Sequence, residues 1–308
     1  MSNVAIVLGF PASGKTTTTQ MLVDKKYFRL NRDVEGGSVI GLLPVLEEQL
    51  KAGKNVVLDN LFATEASRQP FIAAAKKHGA TIDCHWMQTS IEDAQLNYCL
   101  RSMRKYNKVL ESYKGDPNIF PPAVIFKYRK EFQKPTTKEG FDSVVKIPFI
   151  RVWDDTYCNK ALILDYDGTL RECVGGNGKY PVEQSQVKLL PNRTKKIDEF
   201  KNNGFVICGA SNQSGVAKKH LSSETAVELF QYTNKLLEHD IDFKFDPSGV
   251  PPIRSWSRKP VTGMGAHFIE KYKLNPSKCI MVGDLKEDET FASRCGFQFI
   301  HANQFFGD

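Results

Sequence analysis

Short apolar runs alternate with longer amphipathic stretches along this chain, and the alternation occurs twice. In the first half the apolar runs are Val4-Ala5-Ile6-Val7-Leu8, Tyr27-Phe28-Arg29-Leu30, Asn55–Asn60 and Thr81–Met87; in the second they are Ala161-Leu162-Ile163-Leu164, Phe205-Val206-Ile207-Cys208 and Cys279-Ile280-Met281-Val282. Continuous apolar runs this short read as strands buried on both faces, as in parallel sheets. Between them, Thr17–Val23, Leu42–Ala52, Thr64–His78, Ile91–Lys105 and Asn192–Asn203 suit helices, with Thr64 a cap for its own. Leu229, Phe230, Thr233, Leu236 and Leu237 form a helical stripe facing a core. Strands alternating with helices predict an α/β protein with two parallel-sheet domains. Arg151–Lys160 is polar and aperiodic, so it predicts a linker between a domain over residues 1–153 and another over 154–308.

The totals sharpen this only slightly. A length of 308 residues suits two domains, and 41% hydrophobic with 25% charged residues is ordinary for a globular chain. No apolar run is long enough to span a bilayer. Met1-Ser2-Asn3 lacks the basic segment that opens a signal peptide. Seven cysteines without a CxxC pair argue against a disulfide framework or a structural zinc site. The expectation is an intracellular protein, cytoplasmic or nuclear, not secreted and without a membrane partner. A net charge of +7 suits a polyanionic partner.

Candidate chemistry clusters at strand ends. The first strand runs into Gly9-Phe10-Pro11-Ala12-Ser13-Gly14-Lys15-Thr16, which fits G-x-x-x-x-G-K-[ST]. In such a loop the glycines let backbone N–H groups of the Gly9, Ser13, Gly14 and Thr17 region close around a phosphate. Lys15 neutralises β/γ charge, and the Thr16 hydroxyl ligates Mg²⁺. The second strand ends in Asn31-Arg32-Asp33; Asp33 reads as a helix cap or as the base for an acceptor hydroxyl. The third ends in Asp59, where a carboxylate can hold the Mg²⁺ hydration shell. Arg101 and Arg104 follow the fourth strand and read either as a lid over a γ-phosphate or as a solvated face. Lys127-Tyr128-Arg129-Lys130-Glu131-Phe132 interleaves basic and aromatic residues, a composition that suits a nucleic-acid strand or a surface helix; Lys127, Arg129 and Lys130, with Arg193, Lys195 and Lys196 in the second half, are the candidate phosphate contacts.

In the second half, Leu164 leads into Asp165-Tyr166-Asp167-Gly168-Thr169. Side chains alternate along a strand, so Asp165 and Asp167 are predicted to leave its end on one side. One carboxylate can attack phosphorus and the other can shuttle the proton. Ser211 ends the next strand and can donate to a phosphoryl oxygen. Lys259 supplies a cation. Gly283-Asp284-Leu285-Lys286-Glu287-Asp288 brings two more carboxylates, which with Asp165 and Asp167 make an oxygen-rich Mg²⁺ site. Gly175-Gly176-Asn177-Gly178 reads as a flap. Neither the stretch from Leu170 to Cys208 nor that from Gln213 to Arg258 has room for a large cap domain, so a polymer end can enter the site.

The Asp165 motif resembles the first motif of haloacid-dehalogenase-type phosphatases. The whole chain resembles the polynucleotide kinase 3′-phosphatase family. In the first half the likeness rests on Gly9–Thr16, Leu30-Asn31-Arg32-Asp33, Val57-Leu58-Asp59-Asn60, Tyr128–Phe132, Glu139-Gly140-Phe141 and Ile147-Pro148-Phe149. In the second it rests on Arg258–Met264, Phe291-Ala292, Cys295-Gly296 and Asn303–Phe306. The resemblance implies a P-loop kinase fold followed by a HAD-like Rossmannoid phosphatase fold, with ATP and Mg²⁺ as cofactors. It implies Asp33 as the kinase base, DNA or RNA ends as substrate, and a ligase or repair complex as partner. Cys99 stands where animal members resemble an arginine, which shifts the lid role to Arg101 or Arg104. Two other readings remain at this level: a metabolite kinase fused to a small-molecule HAD phosphatase, and a non-catalytic nucleotide-sensing repair scaffold.

Overall fold

A computed structural model describes residues 1–175, 178–251 and 255–307. Gly176 and Asn177, half of the expected flap, lie outside the described residues. The chain packs as two compact units: Met1–Asn97 with Tyr113–Arg151, and Tyr98–Ser112 with Val152–Asp308.

The first unit is built from β1 (Asn3–Leu8), α1 (Lys15–Asp24), β2 (Phe28–Leu30), α2 (Arg32–Glu35), α3 (Leu43–Lys51), β3 (Val56–Asp59), α4 (Glu65–Lys77), β4 (Thr81–Met87), the start of α5 (Ile91–Tyr106), α6 (Pro122–Glu131) and β5 (Ser143–Ile147). Its five strands are all parallel, in the order β2-β3-β1-β4-β5. The period-2 rule explains why β1 carries no polar residue beyond Asn3. Val4, Ile6 and Leu8 face a core shared with Leu46, Phe71 and Ile72 of α3 and α4, whereas Ala5 and Val7 face Leu22 of α1. Both faces are covered, so alternation vanishes from the sequence. Thr64 caps α4 by accepting from the Ser67 amide, as its position predicts.

The second unit comprises β6 (Ala161–Leu164), β7 (Arg171–Cys173), β8 (Val187–Leu189), α7 (Arg193–Asn202), β9 (Val206–Asn212), α8 (Ser214–Ala217), α9 (Ser223–Leu236), β10 (Asp242–Asp246), α10 (Gly263–Tyr272), β11 (Ile280–Gly283), α11 (Lys286–Cys295), β12 (Gln298–His301) and α12 (Ala302–Phe306). The sheet is again five-stranded and parallel, in the order β10-β9-β6-β11-β12. β6 lies at its centre with all four residues buried, and fully burying each Leu or Ile side chain stabilises by roughly 1.5–3 kcal/mol. The predicted stripe faces the core except at one position: Leu229, Phe230 and Thr233 on α9 and Leu237 at its C-cap are buried, whereas Leu236 is exposed. The stretch after β6 folds into the small antiparallel pair β7–β8. The stretch after β9 gives only α8, α9 and β10. Among the described residues neither forms a cap domain.

One assignment shifts. The sequence puts all of Ile91–Lys105 in the first half, yet Tyr98 onward packs with the second unit. Tyr98 stacks on Trp256 with ring centroids 4.2 Å apart, and Arg104 pairs with Glu270 at 2.8 Å.

Candidate functional site

Each sheet gathers charged and small polar residues at the carboxyl ends of its strands, the edge at which open α/β sheets bind ligands. In the first unit β1 ends in a loop that folds back on itself, with the Ser13 amide donating to the Phe10 carbonyl at 3.0 Å. Ala12 (φ 62°) and Gly14 (φ 90°) take left-handed backbone, which turns successive amides toward one point. Gly9 is required by space: a Cβ there would sit 2.7 Å from both the Met87 Cβ and the Ser13 Oγ. α1 starts at Lys15 with no side-chain cap and no acid in its first turn. Its N-terminal amides are therefore open to an anion. Lys15 turns its ammonium onto the loop's own Gly9 and Phe10 carbonyls, at 3.1 and 2.8 Å. Thr16 and Thr17 are exposed on the first turn, and Ser13 is buried with its hydroxyl unpartnered among the described residues.

The flanking carboxylates differ in setting. Asp59 is buried and accepts from the Arg29 guanidinium at 2.5 Å. Asp33 is exposed on α2 and accepts from Arg32 at 3.0 Å; the helix cap beside it is Asn31, which accepts from the Asp33 amide. The capping role considered for Asp33 thus falls to Asn31, and the Asp33 carboxylate faces solvent.

The expected lid arginines are placed differently. Both lie in the segment that packs with the second unit. Arg104 donates to Glu270 and to the Tyr157 hydroxyl, and lies over the Tyr157 ring at 5.7 Å. Arg101 lies over the Tyr98 ring at 5.8 Å. Cys99 is buried, and burial pushes its thiol up to about 12. The sequence offers no sign of these partners, because all of them except Tyr98 come from beyond residue 150.

The second unit assembles its predicted residues closely. Asp165 follows β6, and its amide extends the strand by donating to the Val282 carbonyl. Lys259 is buried and donates to Asp165 at 2.7 Å, to Asp288 at 2.6 Å and to the Ala210 carbonyl at 2.7 Å. Burial pushes the Asp165 carboxyl above the usual carboxylate range. Burial works against charge on Lys259 too, but Asp165 and Asp288 more than offset it and raise its pKa. A cation facing two carboxylates keeps its own proton.

Asp165, Asp284 and Asp288 each offer an oxygen within 4.8 Å of the others. One Asp284 oxygen is buried without a hydrogen-bond partner among the described residues. Burial and the Asp288 charge push the Asp284 carboxyl up. Three hard oxygen donors with one uncommitted fit a divalent cation such as Mg²⁺. The Asp284 carboxylate lies directly against Gly168, whose φ is 88°, so a Cβ at that position would collide with it. This is the physical content of the Asp-x-Asp-Gly spacing.

Asp167 departs from its expected place. Its carboxylate is not in the three-acid cluster but accepts from Arg171 at 2.7 Å and from the Gln213 amide at 2.8 Å. Gln213 also reaches the Ser211 hydroxyl at 3.2 Å, and so ties the ends of β6 and β9 together. Sequence reasoning gave Arg171 and Gln213 no role. A charged residue four positions after Asp167 was the available signal for the first, and the unbroken polar run Ser211-Asn212-Gln213 for the second. Among the basic residues expected to meet nucleic acid, Arg193 is buried and donates to the Thr169 and Pro191 carbonyls. It serves the fold, whereas Lys127, Arg129, Lys130 and Lys195 are exposed or largely so.

The two halves match different family models. Residues 4–107 match the family model described as an AAA domain, and residues 160–306 match that described as polynucleotide kinase 3 phosphatase. A bifunctional polynucleotide phosphatase/kinase of Schizosaccharomyces pombe is 31% identical over 157 residues, which are 50% of this chain and 36% of that protein. This chain thus covers about a third of that relative. A D-glycero-beta-D-manno-heptose-1,7-bisphosphate 7-phosphatase of Haemophilus influenzae is 31% identical over 139 residues, 42% of this chain and 73% of that protein. The solved structure of a Pnkp1/Rnl/Hen1 complex holds a chain 15% identical over 98% of this chain and 96% of its own, at a TM-score of 0.36, too low to carry an argument. With an Asp165–Lys259–Asp284–Asp288 centre at its sheet edge, residues 160–306 form a phosphatase domain of the family described as polynucleotide kinase 3 phosphatase, and the chain joins it to a P-loop kinase domain.

Proposed function

We propose that the chain heals nucleic-acid ends, phosphorylating 5′-hydroxyls with ATP and removing 3′-phosphates. The observation that carries this is the pairing, in one chain, of a P-loop with a phosphatase unit of the polynucleotide kinase 3 phosphatase family. In the first unit, Lys15 leaves the loop carbonyls to meet the β/γ-phosphates, the open amides of α1 hold the anion, and Asp33 takes the acceptor proton. In the second, the Asp165 carboxylate attacks phosphorus and the P–O bond to the 3′ oxygen breaks. Asp167 gives that oxygen its proton. Water then attacks the aspartyl-phosphate, losing its proton to Asp167 and freeing phosphate and the Asp165 carboxylate. Ser211 and Lys259 stabilise the phosphoryl oxygens. A Mg²⁺ held by Asp165, Asp284 and Asp288, with another at Thr16 and Asp59, would neutralise phosphoryl charge. The absence of a cap domain among the described residues supports an extended substrate. An enzyme joining ends is the partner class this reading calls for.

A second reading takes a phosphorylated sugar as the phosphatase substrate, and the heptose-bisphosphate phosphatase relatives favour it. One experiment separates the two. The protein is incubated with a 5′-hydroxyl, 3′-phosphate oligonucleotide, ATP and Mg²⁺, and both ends are resolved; a sugar bisphosphate is tested alongside. Conversion of both ends is expected. Phosphate release from the sugar alone would move the chain to the second reading, and no turnover of either would make it a binding protein. Oligonucleotide affinity should also fall steeply with salt, by about 0.7–0.9 in log–log slope per phosphate contact.

A further inference from the structure

The phosphatase centre contains a buried cation that the reaction scheme above does not use. Arg171 is 1% exposed. Its Nε donates to the Asp167 Oδ1 at 2.7 Å, and its Nη1 donates to the Leu229 carbonyl and to the Thr233 Oγ1, each at 2.8 Å. The guanidinium lies over the rings of Tyr166 and Phe230, at 5.5 and 5.1 Å. Asp167 bridges back to Arg171 through the backbone as well, with the Gly168 amide donating to the Arg171 carbonyl at 2.9 Å.

Burying an arginine in this way costs solvation, and its ion pair is a poor source of stability compared with an aliphatic side chain of similar size. The surroundings would suit an aliphatic residue, since Tyr166, Leu229 and Phe230 are all buried. What the guanidinium adds is orientation. A carboxyl that hands on a proton and later takes one back must keep one oxygen aimed at the reacting group throughout. Asp167 would otherwise rotate about its own side-chain bonds. With Oδ1 held by Arg171, the oxygen turned toward the rest of the site is Oδ2. That oxygen lies on the side of Gln213, which in turn touches Ser211, the group assigned to the phosphoryl oxygens.

We infer that Arg171 is a positioning residue for proton transfer: anchored on α9, it holds Asp167 so that Oδ2 serves the leaving oxygen. The inference rests on the phosphatase reading above and adds a residue to it. It makes a prediction that a packing role does not. An alkoxide leaving group, such as the 3′ oxygen of a nucleic-acid end, needs the proton as the P–O bond breaks. A nitrophenolate does not.

The test compares first-turnover release of the leaving group from a 3′-phosphorylated oligonucleotide and from p-nitrophenyl phosphate. The first turnover isolates the step in which the P–O bond breaks from the later hydrolysis of the aspartyl-phosphate. Arg171→Met is expected to slow release from the oligonucleotide by roughly 10²-fold or more, the usual worth of a positioned acid, and to change release from the aryl ester far less. Arg171→Lys, which keeps a cation near Oδ1, should recover part of the loss. In an Asp167→Asn background Arg171→Met should cost nothing further, because both changes remove one function. Equal losses on the two esters, or losses that multiply in the double variant, would overturn the inference. Thermal melting shows whether each variant is folded; if Arg171→Met does not fold, the same comparison on Arg171→Lys decides. A wild-type protein that releases neither leaving group would instead remove the phosphatase reading itself.

Discussion

Lys259→Met removes an ammonium that touches two of the three clustered carboxylates. Its Nζ lies 2.7 Å from Asp165 and 2.6 Å from Asp288, with the lysine, Asp165 and Asp288 side chains all less than a tenth exposed. Removing one member of a buried ion pair costs about 3–5 kcal/mol, because the partner charge stays buried. A unit of this size shifts its melting temperature by roughly 2–4 °C per kcal/mol, so a loss of about 6–20 °C is expected without metal. The loss should also depend on pH in a defined sense. Burial already raises the Asp165 carboxyl, and deleting the lysine raises it further. A raised acid holds its proton in the folded state, so the variant is most stable in acid. Its stability falls as pH climbs through the ordinary carboxylate range toward the raised folded value. A divalent cation replaces the missing charge, so Mg²⁺ should raise the melting temperature more in the variant than in the wild type. Calorimetry in EDTA and in Mg²⁺, at acidic and neutral pH, checks all three points. A drop of less than about 3 °C in EDTA at neutral pH, which is under the smallest shift expected from a broken buried pair, would refute the argument. Equal Mg²⁺ responses in the two proteins would refute it as well.

Asp165→Asn should abolish 3′-phosphate release and leave 5′-phosphorylation nearly intact, while Lys15→Ala should do the reverse; end-labelled oligonucleotides resolve both, and joint loss of the two activities in a folded protein would deny two separate centres. Gly168→Ala should disable the phosphatase, because alanine at φ 88° costs roughly 1–2 kcal/mol and its Cβ displaces the Asp284 carboxylate; full activity at low Mg²⁺ would count against that packing. Burial, with Lys244 beside it, holds His267 down to about 4. The unfolded chain takes up that proton near its ordinary pKa, about 6.5, so stability should be lost as pH falls from there toward about 4. His267→Gln should flatten that part of a urea-denaturation pH profile, and an unchanged profile would assign the acid loss elsewhere.

The apolar runs located seven of the ten strands in the two parallel sheets, all but β5, β10 and β12. Val4–Leu8 and Ala161–Leu164 lack alternation because each lies at the centre of a sheet covered on both faces, and no other local structure suits five or four consecutive buried residues so well. Spacing determined the chemistry too. Gly9–Thr16 and Asp165–Gly168 carry their geometry within a few residues, through turns that need glycine at positions 9 and 168. What lay beyond the sequence was each side chain that takes its partner from a distant segment. Asp167 looked like a fourth metal ligand, yet the buried Arg171, itself fixed by the Leu229 carbonyl and the Thr233 hydroxyl of α9, draws its carboxylate aside. Arg104 looked free to reach a phosphate, but Glu270 and Tyr157 hold it. Arg193 looked like part of a basic surface, but it is folded under the Thr169 carbonyl. A charged side chain's role depends on which opposite charge or carbonyl the fold brings within about 3 Å, where a hydrogen bond forms. Hydrophobic period and local motif decide where strands and loops fall; only the packed fold decides those meetings.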